Sequence, residues 1–175
     1  MKTIILGLVE KSPWGKGRIG QMIEQDWYAQ CIEADKYKDV SNVQVWIVSC
    51  FCFNGCDYST TYYRDACLRD FGLKIQERLV GFETVSQLLE FQRIAKEEKA
   101  FLKLIVTQTH IGRVKWICAW KQIEVEEFIV VSGIPRPSES ITDPRMERLY
   151  PVLQKIGLIN PFLFLVRCRR RLGIL

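Results

Sequence analysis

The sequence predicts a single α/β (or α+β) domain built on a mixed, partly parallel sheet flanked by helices, with a C-terminal helical extension. Three observations carry that expectation. Two nearly uncharged, β-branched runs, Thr3 to Val9 and Val43 to Phe53, have the composition of strands covered on both faces. Between them Ile19, Met22, Ile23, Trp27 and Cys31 recur at three- and four-residue spacing, the stripe of an amphipathic helix. Strand, helix and strand in that order make a βαβ unit with a right-handed crossover. Finally, a chain of 175 residues is long enough to bury roughly 70% of its unfolded surface without cross-links.

The later elements are read from local signals. Asn54-Gly55 ends the second apolar run as a turn, and a short helix opened by Ser59 or Thr60 is expected over Cys56 to Arg69. No element is assigned to Leu73 to Val80. Thr84 and Gln87 stand in capping-box spacing ahead of Val85, Leu88, Leu89 and Ala95, which predicts a helix. Phe101 to Gln108 and Val114 to Ile123 flank a short polar turn containing Gly112 and read as a β-hairpin, with Val125 to Ser132 as a further strand. The domain expected from these elements covers residues 1–134. Residues 135–143, with two prolines and several hydroxyl side chains, read as a linker. Residues 144–175 form the extension, in which Asp143 can cap a helix with Pro144 at its first position and Pro151 should break or kink it.

The strongest chemical signal lies between the first strand and the first helix. Gly15, Gly17 and Gly20 have G-x-G-x-x-G spacing, which lets backbone amides approach an anion without a Cβ in the way. A helix beginning near Arg18 would add its unpaired N–H groups, and Lys11, Lys16 and Arg18 add positive charge at the same end. Lys11, Gly15, Lys16, Gly17 and Arg18 are therefore the expected phosphate-binding residues. The loop is neither a dinucleotide fingerprint nor a P-loop. Five residues separate the strand from the first glycine, and neither Asp35 nor Asp39 ends an evident strand where a ribose ligand belongs. Glu10 and Gly17 stand where a P-loop needs glycine and a hydroxyl.

Charge points to a polyanionic partner. The net charge is +5, and Arg167, Arg169, Arg170 and Arg171 cluster near the C-terminal end, behind the apolar run Phe162 to Val166. Anchoring of Phe162 and Phe164, with the arginines projecting toward phosphates, is the consistent arrangement. Nucleic acid is the leading expected partner, with a nucleotide- or phosphometabolite-dependent enzyme, or a protein-binding assembly subunit docking through the C-terminal segment, as alternatives. Trp116 and Trp120, placed on one hairpin face, would offer a stacking platform if exposed.

Metal and acid–base chemistry are weaker. Cys50, Cys52, Cys56 and Cys67 have some zinc-ligand spacing, but they read as small apolar core residues. His110 is the only histidine and reads as an exposed turn residue. Glu124, Glu126 and Glu127 read as a solvated strand end, and the Glu97-x-Lys99 pair as a helix end. No cofactor signature is found, and whether the protein is an enzyme is left open. Seven cysteines without a secretory signal predict reduced thiols and an intracellular, cytoplasmic or nuclear setting. No apolar run approaches the roughly 20 residues that span a bilayer, so no membrane association is expected.

Overall fold

The computed structural model describes residues 2–9, 18–50, 67–80, 84–132 and 144–171. Five strands make one sheet: β1 (Ile4–Leu8), β2 (Val43–Cys50), β3 (Ile75–Val80), β4 (Phe101–Thr107) and β5 (Glu127–Val131), in the order β3-β2-β1-β4-β5. The helices are α1 (Arg18–Asp35), α2 (Thr84–Glu97), α3 (Ile111–Lys121), α4 (Pro144–Lys155) and α5 (Ile159–Arg171). Residues 67–71 are also helical and lead into β3. The α/β class predicted from the sequence is the observed one.

Every pairing among these strands is parallel. The expected hairpin is therefore corrected: Val114 to Lys121 is helical and connects two parallel strands, β4 and β5. Its buried residues Val114, Ile117 and Cys118 lie three and four apart, which is helical rather than strand spacing. The same correction applies to Trp116 and Trp120, which are half-buried on α3, four residues apart, with their rings stacked at 5.3 Å.

β1 is central, pairing with β2 from Ile4↔Val43 to Leu8↔Ile47 and with β4 from Ile4↔Phe101 to Leu8↔Ile105. Its side chains alternate between two cores, as period-two geometry requires. Ile5 and Val9 join Val48, Leu104, Phe91 and Ile117 beneath α2 and α3. Leu6 and Leu8 join Ile47, Ile105, Trp27, Cys31 and Cys67 beneath α1 and residues 67–71. Gly7 faces the first core, where a Cβ would stand 2.7 Å from the Phe91 ring and 2.9 Å from Leu104. Only glycine lets Phe91 lie that close to the sheet.

α4 packs on α3 and α5 on α4, and Tyr150, Ile159 and Leu163 are all buried in the first core. Tyr150 meets Trp116 and Phe162 edge-on, each at 5.7 Å. α4 runs through Pro151 to Lys155, so the expected break is not seen. Packing of Tyr150 and Leu153 on the core supplies what the missing N–H does not. The helix ends instead before Gly157, whose φ of +74° suits glycine. Phe162 is packed as expected, but Phe164 is 64% exposed. Residues 135–143, read as the linker, lie outside the described residues.

Gln87 also reaches beyond its own helix. It is 2% exposed and its side-chain amide donates to the Val48 carbonyl at 2.9 Å, tying the start of α2 to β2. On the outer side of α2, Glu90 accepts from Arg93 at 2.6 Å and from Arg78 at 2.9 Å. Glu97 accepts from the same two arginines at 2.9 and 3.1 Å. The network fastens α2 to the edge strand β3.

Candidate functional site at the carboxyl ends of β1 and β4

The strand order fixes where a ligand can enter. From β1 the chain winds through β2 to β3 on one side, then crosses through α2 to β4 on the other. The connections leaving β1 and β4 therefore diverge to opposite faces, the arrangement beside which open α/β sheets take their ligands, outside the carboxyl ends of the strands. The strands remain joined as far as Val9, whose N–H donates to the Ile105 carbonyl at 3.1 Å.

In sequence the glycine-rich segment joins β1 to α1. Lys11, Gly15, Lys16 and Gly17 lie outside the described residues. Arg18 is the first residue of α1. Because β1 and β2 are parallel, α1 runs back between them and its N-terminal end lies at the carboxyl edge of the sheet. Asp35 and Asp39 lie at the other edge: Asp35 closes α1, where its carboxylate takes a 3.0 Å ion pair from Lys38, and Asp39 falls in the turns before β2.

On the β4 side, residues 107–113 turn from strand into α3. Thr107 is fully buried, and its carbonyl accepts from the His110 N–H at 2.9 Å. The Thr107 and Thr109 hydroxyl oxygens are 3.2 Å apart. Gln108 N–H donates to the Val131 carbonyl at 2.9 Å, which fastens the turn to β5. His110 precedes α3, and Arg113 lies three residues on, so both occupy one face of its opening turn. They are 3% and 5% exposed. The guanidinium Nη2 of Arg113 lies 2.7 Å from His110 Nδ1. The same Nη2 lies 3.0 Å from Nε2, and since a guanidinium can only donate, one of the two ring nitrogens accepts from it.

This overturns the reading of His110 as an exposed turn residue. The hairpin assignment placed residues 109–113 at a solvated tip, whereas they begin a helix at the sheet's carboxyl edge. The usable sequence signal was the His110–Arg113 spacing directly after a buried strand.

The other candidates fall elsewhere. Cys67 is buried against Cys31, with sulfurs 3.1 Å apart. Cys50 closes β2, while Cys52 and Cys56 lie outside the described residues. Among the described residues, no group of three or more His, Cys, Asp or Glu side chains is arranged to hold a metal ion. Glu127 pairs with Lys103 at 2.6 Å at the amino end of β5, and Glu97 belongs to the arginine network on α2. Arg167, Arg169, Arg170 and Arg171 fall within α5. No described helix is long and apolar enough to cross a membrane.

No protein-family model matches the chain, and no curated protein matches it. Among solved structures it is similar to a universal stress protein in complex with cAMP, at 18% identity and a TM-score of 0.47, covering 76% of this chain and 98% of that one. It is also similar to the U34-tRNA thiolase NcsA from Methanococcus maripaludis, described with its 4Fe–4S cluster, at 9% identity and a TM-score of 0.41, covering 94% of this chain and 71% of that one. Likenesses this distant leave the function to be argued from the chain's own residues.

Proposed function

We propose that the protein binds a phosphate-bearing small molecule, a nucleotide or phosphometabolite, in the crevice between the carboxyl ends of β1 and β4. The observation that carries this reading is the buried His110–Arg113 pair at the opening of α3. A buried guanidinium there supplies fixed positive charge and several N–H donors, the chemistry that recognises phosphate oxygens. The Thr109 hydroxyl, half-buried on the same turn, adds a neutral donor. Lys11, Lys16 and Arg18, with the amides of Gly15 and Gly17, would close on the ligand from the β1 side, where α1 begins. The proposal also agrees with the general rule that open α/β sheets bind ligands outside the carboxyl ends of strands whose connections diverge.

A second reading extends the ligand to a nucleic acid that also engages Arg167, Arg169, Arg170 and Arg171. It is favoured by those four arginines falling in the last turns of one helix, α5, whose earlier residues Ile159 and Leu163 are buried.

Calorimetric titration with ATP, AMP and inorganic phosphate tests the first reading. Saturable binding of at least one nucleotide is expected, weakened by a Lys16→Ala/Arg18→Ala double variant that keeps its melting temperature. If the folded protein takes up none of the three, the crevice is not a phosphate site.

A further inference from the structure

Away from that crevice, Cys31 on α1 and Cys67 in the helical residues 67–71 face each other inside the second core. Their sulfurs are 3.1 Å apart, both residues are at most 1% exposed, and both thiols are free. A disulfide bond is about 2.05 Å long, so the sulfurs need to approach by only about 1 Å. The two elements are already fastened on their outer side: Tyr28 donates its hydroxyl to the Asp70 carboxylate at 2.8 Å, and its ring lies 5.7 Å from that of Phe71. Little rearrangement therefore separates the thiol pair from a cross-link.

We propose that Cys31 and Cys67 form a redox-active dithiol that hydrogen peroxide converts to an intramolecular disulfide bond between α1 and residues 67–71. Cys67 borders the exposed residues Leu68, Arg69 and Asp70, the side from which a small oxidant reaches the pair when the segment opens locally. Its sulfur attacks one peroxide oxygen, the O–O bond breaks, and a sulfenic acid and one water form. The Cys31 sulfur then displaces the sulfenic oxygen as a second water while the S–S bond forms. Two thiols lose two electrons and two protons, and one peroxide becomes two waters. Reduction by an excess of small thiol reverses the step.

The test treats the folded, reduced protein with hydrogen peroxide, alkylates it under denaturing, non-reducing conditions and maps the peptides. The expected result is a peptide pair joined through Cys31 and Cys67, lighter by one hydrogen molecule and separated by dithiothreitol. Cross-linked protein should melt at a higher temperature than the reduced form. In Cys31→Ser, dimedone should label Cys67 after peroxide, because the resolving thiol is missing. The wild-type map decides the matter even where that variant fails to fold. Alkylated Cys31 and Cys67 after peroxide, Cys67 bridged to another cysteine, or a 31–67 link formed no faster in native than in denatured protein would each overturn the proposal.

Discussion

A methyl group placed on Gly7 would stand 2.7 Å from the ring of Phe91, and Phe91 is fully buried. The central strand and α2 thus touch through a missing side chain. Gly7→Ala should destabilise the protein by about 1–3 kcal/mol, because the ring and Leu104 must shift in a close-packed core. In a Phe91→Leu background the same change should cost clearly less, since the smaller side chain leaves room. Urea denaturation of the two single variants and the double variant measures this, and equal costs in both backgrounds would mean that the Phe91 contact is not the cause.

Much of this architecture was legible because buried parallel strands and amphipathic helices write different periods. Thr3 to Val9, Val43 to Phe53, Phe101 to Gln108 and Val125 to Ser132 each contain an observed strand, and the stripe from Ile19 to Cys31 lies in α1. β3 escaped because an edge strand carries polar residues such as Gln76 and Arg78 among its apolar ones. α3 was misread because Trp116, Cys118 and Trp120 alternate as a strand would, while the buried set Val114, Ile117 and Cys118 is helical. That single error hid the β4 half of the site, since it turned His110 and Arg113 into parts of an exposed tip. On the β1 side the sequence offers a composition, a basic glycine-rich segment whose Lys11 to Gly17 lie outside the described residues. Gln87 shows the remaining gap: its capping-box spacing could not reveal that the amide reaches Val48 on a strand 39 residues away in sequence.

The Glu90 network makes stability depend on pH. Hydrogen bonds from Arg93, and then from Arg78, hold the Glu90 carboxyl below its ordinary range. A carboxyl depressed in the folded state stabilises the protein above its unfolded pKa, near 4.3. That contribution disappears as pH falls through the lower, folded value. Glu90→Gln should therefore lower the melting temperature at about pH 7, corresponding to roughly 1–3 kcal/mol for hydrogen bonds to a charged group. The gap between wild type and variant should narrow as pH falls below the unfolded value and close once the folded wild-type carboxyl is protonated as well. A gap that stays constant across the range would assign the loss to packing and not to charge.

Arg113 separates a charge requirement from a geometric one. Lysine keeps the positive charge at position 113 but lacks the planar fork of donors. If a phosphate group sits in the crevice, Arg113→Lys should weaken nucleotide binding by roughly tenfold to a hundredfold, equivalent to about 1.5–3 kcal/mol. The hydrogen bond to His110 would be weakened in the same variant, so thermal unfolding is measured in parallel. Undiminished affinity in a variant whose melting temperature has dropped would make Arg113 a structural partner of His110 and place the ligand elsewhere.

The arginines of α5 give the last test, and the helix makes it cleaner than truncation. Ile159 and Leu163 are buried, and Phe162 packs on Tyr150, so the first half of α5 is held in the core independently of the arginines in its last turns. Replacing Arg167, Arg169, Arg170 and Arg171 together by glutamine keeps good helix formers in place and should leave the melting temperature nearly unchanged. Each phosphate contact contributes about 0.9 to the slope of log affinity against log salt on duplex DNA, or about 0.7 on a single strand. If the arginines hold a nucleic acid, the quadruple variant should bind an oligonucleotide more weakly and with a flatter slope, while its affinity for a mononucleotide is unchanged. An unchanged oligonucleotide slope would remove α5 from any phosphate-binding role. Phe164 and Leu165, each 64% exposed on the same helix, would then be better read as contacts for a protein partner.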